Sequence, residues 1–211
     1  KALEKRRQEK LKADPEFQKQ ASLQRKQRSE MKISVFTERL ADSRLCFPAL
    51  IIICFSLMCL ICYCGGYRIF SPDFKVSGIF HCLYLGDYSI GLSSRLLVGS
   101  IISLFTDVIT ADSINIFAKT ALYAALLLQA VLSSAVLKKG IKEKNIFILL
   151  FAVVFVVNPV TVCTYTFYFG TLDLYNYIVF LIAVAIIVKG KAELQLAVPV
   201  LGIAGLLIHY S

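Results

Sequence analysis

The sequence predicts an all-α fold, a polytopic transmembrane helix bundle of about five spans with one interfacial amphipathic helix. Two observations predict it. Hydrophobic residues make up 57% of the 211 positions, and yet the chain carries a formal net charge of +9. The charged residues are concentrated near the amino terminus, and the apolar remainder has too few of them to wet the surface of a soluble domain.

The basic amino-terminal segment, residues 1–45, accounts for most of the surplus charge. It holds 13 of the 23 Lys and Arg residues and 7 of the 14 acidic ones, and it contains no apolar run. We expect it to be a cytoplasmic head that is partly disordered or helical and that contacts anionic membrane lipids. A partner-binding helix is the alternative. The head lacks aromatic interleaving and any recognition motif, so no nucleic-acid partner is predicted.

The transmembrane domain is predicted to occupy residues 46–211. A helix needs about 20 apolar residues to cross a bilayer, and the first run, CFPALIIICFSLMCLICY, has no charge at all. The last two runs are shorter than this. The predicted spans are residues 46–63, 114–137, 146–166, 175–188 and 194–208.

The charges of the connections predict an orientation. Residues 138–145 contain four Lys and one Glu, and residues 189–193 contain two Lys and one Glu, whereas residues 167–174 contain no Lys or Arg. Cytoplasmic loops carry an excess of Lys and Arg. We therefore expect an integral cell-membrane protein with a cytoplasmic amino terminus and an extracytoplasmic loop at residues 67–113.

This first outer loop is far longer than the other connections and is predicted to carry function. Its second part, residues 95–110, places most of its apolar side chains on one helical face. Such a helix is typical of one that lies in the membrane interface. A short transmembrane span is the alternative, but a sixth span would reverse the alternation of basic loops.

The segment before this helix contains the candidate catalytic residue, Asp87. A carboxylate at the outer membrane surface can act as a general base or hold a divalent cation. Arg95 can bind a phosphate with two hydrogen bonds, and Tyr88 is a candidate substrate contact beside Asp87. The plainer interpretation makes Asp87 a solvated turn residue and Arg95 a lipid-facing helix end.

A second polar cluster is predicted on the same side of the membrane. Asn158 precedes Pro159 in the third predicted span, where proline favours a kink. Asp173 is the one charged residue of the connection 167–174. Asn158 and Asp173 are further candidate substrate-binding residues, and an aromatic belt with an ordinary turn is the alternative.

The seven cysteines do not indicate a disulfide framework. Five of them lie in or beside the first span, and the spacing of Cys59, Cys62 and Cys64 looks like that of a metal or redox site. No His or carboxylate is near these three in the apolar run, so we expect them to pack as small apolar side chains, with palmitoylation or metal binding as the alternative. A divalent cation is the one cofactor considered, and the sequence does not identify a set of ligands for it.

The order of these parts resembles the GT-C class of integral membrane glycosyltransferases. The resemblance covers residues 46–211 in architecture, and the run Asn158-Pro159 … Gly170-x-x-Asp173 is similar to one found in some members. It implies transfer of a sugar from a polyprenyl-phosphate donor at the outer face. By the same resemblance Asp87 would be the acidic residue and Arg95 would face the donor phosphate. Asp87 departs from the paired acidic residues of many members, since Asp73 is its nearest acidic candidate.

Three functions are therefore considered. A lipid-linked sugar transferase or a related polysaccharide-assembly enzyme comes first, followed by a non-catalytic membrane scaffold and by a transporter or flippase. Transporters place polar residues in mid-membrane, and here Lys119 and Asn158 are the candidates. Because the chain begins with Lys1, we also expect it to be part of a longer protein.

Overall fold

The computed structural model describes residues 43–86, 96–158, 165–167 and 169–209, together with Lys19, Ser22, Leu23 and Lys26. These residues form helices and connecting turns, and no strand occurs among them. The helices are α1 (Cys46–Cys64), α2 (Cys82–Leu85), α3 (Leu97–Ser103), α4 (Ala111–Glu143), α5 (Ile146–Val157), α6 (Asp173–Lys189), α7 (Ala192–Gln195) and α8 (Ala197–His209), with a 3-10 turn at Gly78–Phe80.

Helix α4 is the centre of the fold, and both of its ends are capped. Thr110 and Ser113 form a reciprocal capping box at its start, which satisfies two free backbone donors. At its end Lys144 adopts a left-handed conformation with φ 53°. Asn145 then begins α5, because its side-chain oxygen accepts the backbone N–H groups of Phe147 and Ile148.

The buried core forms where α1, α5 and α6 pack on α4. The α4–α5 hairpin is tight because Gly140 lies directly against Leu149. Helix α8 packs on α6, and Gly205 of α8 approaches the side chain of Asn176. Alanines supply much of the α4 contact face, and small residues allow helix backbones to approach closely. They are Ala118, Ala121, Ala125 and Ala130.

Two helices, α1 and α4, are long and apolar enough to cross a membrane. Within their most apolar segments only 22% of α1 and 44% of α4 is buried. Large apolar side chains such as Ile52 (66% exposed) and Phe147 (78% exposed) face outward. Soluble proteins rarely expose contiguous apolar surface on this scale, and these features support a membrane location.

The other predicted spans coincide with shorter helices. Helix α5 has 12 residues, α6 has 17 and α8 has 13, all below the length of about 20 that a perpendicular span needs. The third predicted span continues beyond Val157 into residues that are partly outside the described set. The fifth is divided near Leu196 into α7 and α8.

The predicted interfacial helix at 95–110 is shorter in the structure. Helix α3 covers only Leu97–Ser103, and the chain then turns toward Thr110, which caps α4. The hydroxyl of Thr106 donates to the carbonyl of Val108 within this turn. The apolar residues keep a helical spacing up to residue 110, but the helix itself ends at Ser103 because the chain has to bend into α4.

From residue 43 onward, the charged residues of the described part gather at two opposite ends of the bundle. Val76 contacts both Asn115, near the start of α4, and Gly170, just before α6, so these two helices start at one end. That end carries Asp73, Asp107, Asp112 and Asp173 with Arg68, Lys75 and Lys119. The other end carries Arg44, Lys138, Lys139, Lys142, Lys144, Lys189 and Lys191 with Glu143 and Glu193.

Candidate functional site

The predicted site residues are only partly within the described structure. Asp87, Tyr88 and Arg95 lie outside the described residues. Asn158 is half-buried at the end of α5, and Asp173 is the first residue of α6. The described part of the site therefore consists of Asn158, Asp173 and the residues around them, together with Gly86 and Leu96 on either side of the 87–95 segment.

Gly86 and Leu96 flank the segment that contains Asp87, Tyr88 and Arg95. These two residues are in contact, since a Cβ atom on Gly86 would lie 2.5 Å from a methyl carbon of Leu96. Gly86 also packs on α3, where a Cβ atom on Gly99 would fall on the Gly86 carbonyl oxygen and 2.9 Å from that of Tyr84. The chain thus enters and leaves the 87–95 segment at one place, and only a glycine at position 99 permits this approach.

Tyr84 connects this place to the second predicted cluster. Its side chain is fully buried, and its hydroxyl donates to the carbonyl oxygen of Gly170 at 2.8 Å. Its ring packs edge-on against Tyr175, with 6.1 Å between ring centroids. Burial, with a smaller contribution from Tyr175, raises the pKa of Tyr84 far above its usual value, so this phenol stays neutral and acts as a hydrogen-bond donor.

The Gly170 turn brings Asp173 to the same region. Gly170 has φ +91°, and the side chain of Val76 occupies the space where a Cβ atom would be. Beside it the rings of Phe74 and Phe169 stack at 4.4 Å. The hydroxyl of Thr171 donates to the Asp173 carboxylate at 3.0 Å, which fixes this acid in the first turn of α6, where the helix dipole favours a negative charge.

The outer loop is attached to α4 by polar side chains spaced four residues apart. Asn115 accepts the backbone N–H of Val76 at 2.7 Å, Lys119 donates to the Ser71 carbonyl at 3.1 Å, and the Tyr123 hydroxyl donates to the Ile69 carbonyl at 2.9 Å. Side chains at this spacing lie on one helical face. We call Asn115, Lys119 and Tyr123 the loop clamp, because they hold residues 69–76 along α4.

A buried polar network lies deeper in the bundle and is centred on Gln129. This residue is fully buried, and its amide nitrogen donates to the Phe155 carbonyl at 2.7 Å. Its amide oxygen accepts hydrogen bonds from the hydroxyls of Tyr165 and Tyr177. In an uninterrupted helix the Phe155 carbonyl would bond the N–H of residue 159, but that residue is a proline and has none. Gln129 therefore supplies the donor that the Asn158-Pro159 sequence removes.

This network links the two described candidates without establishing a shared site. Phe155 lies three residues before Asn158, and Tyr177 lies one helical turn after Asp173. Both Phe155 and Tyr177 bond to Gln129. The structure thus connects the end of α5 to the start of α6 through a residue that the sequence analysis did not single out.

The six described cysteines are free thiols that differ in burial. Cys46, Cys54 and Cys62 are buried, as the packing interpretation requires, whereas Cys59 is half-buried and Cys64 and Cys82 are exposed. No group of three or more potential metal ligands is found among the described residues.

Comparison with protein-family models, with curated proteins and with solved structures finds no match to this chain.

Two features of the site could have been found from the sequence. Gln129 is a polar residue in the middle of the second predicted span, and such residues usually face the interior of a bundle. The i, i+4, i+8 spacing of Asn115, Lys119 and Tyr123 gives the same signal nearer the start of that span. The hydrogen bond from Tyr84 to Gly170 could not be predicted from the sequence around Tyr84, because its partner is 86 residues away.

Proposed function

We propose that this chain is a five-span membrane protein that transfers a sugar from a polyprenyl-phosphate donor at the outer membrane face, as a lipid-linked sugar transferase or a related polysaccharide-assembly enzyme. The segregation of charge supports the topology, since one end of the bundle carries seven described Lys and Arg residues with two Glu, and the other carries three with four Asp. Cytoplasmic surfaces carry the excess of Lys and Arg.

The contact between Gly86 and Leu96 is the observation that carries the assignment of the site. The two residues in contact flank the segment that contains Asp87 and Arg95. The hydrogen bond from Tyr84 to Gly170 joins the same place to the turn that carries Asp173. The described residues on either side of the 87–95 segment therefore lie near the turn that carries Asp173, and this supports the proposal that the candidate residues share one end of the bundle.

The proposed chemistry needs few groups. Asp87 removes a proton from the acceptor hydroxyl, or holds a divalent cation, as that hydroxyl attacks the sugar carbon. Arg95 binds the donor phosphate, which leaves with its lipid once the bond to the sugar breaks. Asp173, Tyr88 and Asn158 contact the sugar or the acceptor.

The test is sugar transfer in membranes that contain the full chain. A polyprenyl-phosphate-linked radioactive sugar is supplied, and label that moves into glycan is measured for the wild type and for Asp87→Asn. Removal of a general base lowers rates about 100- to 10,000-fold. Asp107→Asn is the matched control, because Asp107 is exposed at the same end of the bundle. Equal transfer by Asp87→Asn and the wild type, at equal protein level, would contradict the proposal.

A transporter or flippase is the second candidate, and the Gln129 network is the observation that favours it. Broken helices with polar groups in mid-membrane are typical of transporters. Here Gln129 is bonded to the Phe155 carbonyl near the end of α5, just before the Asn158-Pro159 sequence, and Lys119 is bonded to the outer loop. Movement of an intact labelled lipid across proteoliposomes, without release of sugar, would favour the transporter over the enzyme. A chain that does neither would be a scaffold.

A further inference from the structure

An apolar groove of about 600 Å³ lies between α1 and the chain that returns from it. After Cys64 the backbone reverses, with hydrogen bonds from Gly66 to Tyr63 and from Tyr67 to Cys62. Residues 67–71 then run back beside the helix and form the second wall.

The groove lies at the border between the core and the exposed surface, since Ile69 of its lining is buried while other lining residues are exposed. Leu60 (55% exposed), Tyr63 (63%) and Phe70 (64%) all contribute to its lining. In a membrane these side chains contact lipid rather than water. The lining is otherwise apolar or weakly polar, and this favours a hydrocarbon chain as the occupant.

One charged residue lines the groove, and it is a cation. Arg68 is exposed, and no described residue forms an ion pair with it. Arginine binds phosphate with two hydrogen bonds, and a cation at the membrane interface attracts anionic lipid. The apolar groove matches the acyl chain of an anionic lipid, and Arg68 matches its negatively charged phosphate.

We propose that this groove binds an anionic phospholipid of the surrounding bilayer, with an acyl chain along α1 and the phosphate at Arg68. The proposal depends on the membrane location but not on transferase activity. The site lies on the outer side of α1 and uses none of the residues assigned to sugar transfer.

The experiment measures which lipids stay bound to the purified full chain. The protein is incorporated in equal mixtures of phosphatidylglycerol and phosphatidylcholine, and the retained lipids are counted by native mass spectrometry. We expect a preference for phosphatidylglycerol that falls about fivefold in Arg68→Gln. Lys75→Gln is the matched control, since Lys75 is an exposed cation of the same loop that does not line the groove.

A second variant tests the groove itself. Ser56→Phe places a large ring in the groove from an exposed position of α1, so it should lower retention of the lipid while the thermal unfolding of the protein is unchanged.

The proposal is overturned if the wild type shows no preference for phosphatidylglycerol, or if Arg68→Gln and Lys75→Gln lose that preference equally. It is also overturned if polyprenyl phosphate displaces phosphatidylglycerol at a tenfold lower concentration, because the groove would then belong to the donor. Transferase activity does not enter any of these measurements.

Discussion

At the scale of single residues, Gly99 has the most demanding position in the candidate site. Any larger side chain would meet the carbonyl oxygens of Gly86 and Tyr84, which are backbone atoms with little freedom to move. We expect Gly99→Ala to lower the free energy of unfolding by about 1–3 kcal/mol and to reduce sugar transfer. Thermal unfolding in detergent and the transfer assay measure the two effects.

Gly202→Ala is the control for this substitution. Gly202 is also in a helix, but a Cβ atom there meets nothing within 4 Å. Alanine is a better helix former by about 0.5–1 kcal/mol, so this variant should be as stable as the wild type or more so. A Gly99→Ala protein that unfolds at the temperature of the Gly202→Ala protein would show that the close approach is unimportant.

Gln129 provides a second residue-scale prediction. In Gln129→Leu the Phe155 carbonyl loses the hydrogen bond from the Gln129 amide, and the Tyr165 hydroxyl loses its bond to the Gln129 oxygen. A buried polar group without a partner costs about 1–3 kcal/mol, and the midpoint of thermal unfolding should fall accordingly. Ser133→Ala, one turn along α4, is the control, because no described residue bonds the buried Ser133 hydroxyl. Equal unfolding midpoints for the two variants would contradict this role of Gln129.

At the scale of elements, the loop clamp decides how firmly the outer loop is attached to α4. Asn115→Ala removes the acceptor of the Val76 amide while it leaves the apolar contacts of the loop in place. A hydrogen bond contributes about 0.5–1.5 kcal/mol, so exchange of the Val76 amide should accelerate about 3- to 10-fold. Hydrogen exchange followed by mass spectrometry measures this rate on the peptide that contains residues 69–76.

Thr120→Ala is the matched control for the clamp. Thr120 is exposed on the same helix, and its hydroxyl bonds only within that helix, to the Ile116 carbonyl. Faster exchange over residues 69–76 in both variants would indicate a general loosening of α4. Unchanged exchange in Asn115→Ala would show that the packing of Phe74 and Val76 holds the loop without the clamp.

The positions of long helices could be predicted from the sequence, and their ends could not. Apolar runs in the sequence identify α1 and α4, because a helix that crosses the hydrocarbon core of a membrane needs about 20 apolar residues in succession. The start of α4 depends instead on the Thr110–Ser113 capping box, which lies outside the apolar run. The end of α3 could not be predicted for the same reason. Its apolar residues keep a helical spacing up to residue 110, but the chain turns after Ser103.

The candidate site shows a similar division. Asp173 could be singled out because it is a lone charge in a short loop, and the structure places it beside Thr171 at the start of α6. Its link to the outer loop runs through Tyr84 and Gly170, and contacts between distant parts of a chain leave no periodic pattern in one sequence. The placement of Asp87 and Arg95 remains a prediction.

At the scale of the whole molecule, the distribution of charge predicts which end of the bundle faces the cytoplasm. Single cysteines at Ser77, in the outer loop, and at Lys142, at the end of α4, lie in exposed segments at opposite ends. In a background without the native cysteines, we expect a membrane-impermeant thiol reagent added to intact cells to label position 77 and not position 142. Permeabilised cells should label both, which controls for exposure.

The same labelling also tests the number of spans. Position 142 lies at the end of α4 and position 191 just after α6, and both helices start at the acidic end, so an even alternation keeps the two positions on one side. If α5 and α6 formed a re-entrant pair that fails to cross, position 191 would still be protected from the outside reagent, but a cysteine at Phe167, which is 65% exposed in the connection between these helices, would be protected as well. Labelling of position 167 from outside therefore supports α5 and α6 as true spans despite their short helical lengths of 12 and 17 residues. Labelling of position 142 from outside would overturn the orientation, and with it the extracytoplasmic placement of the proposed site.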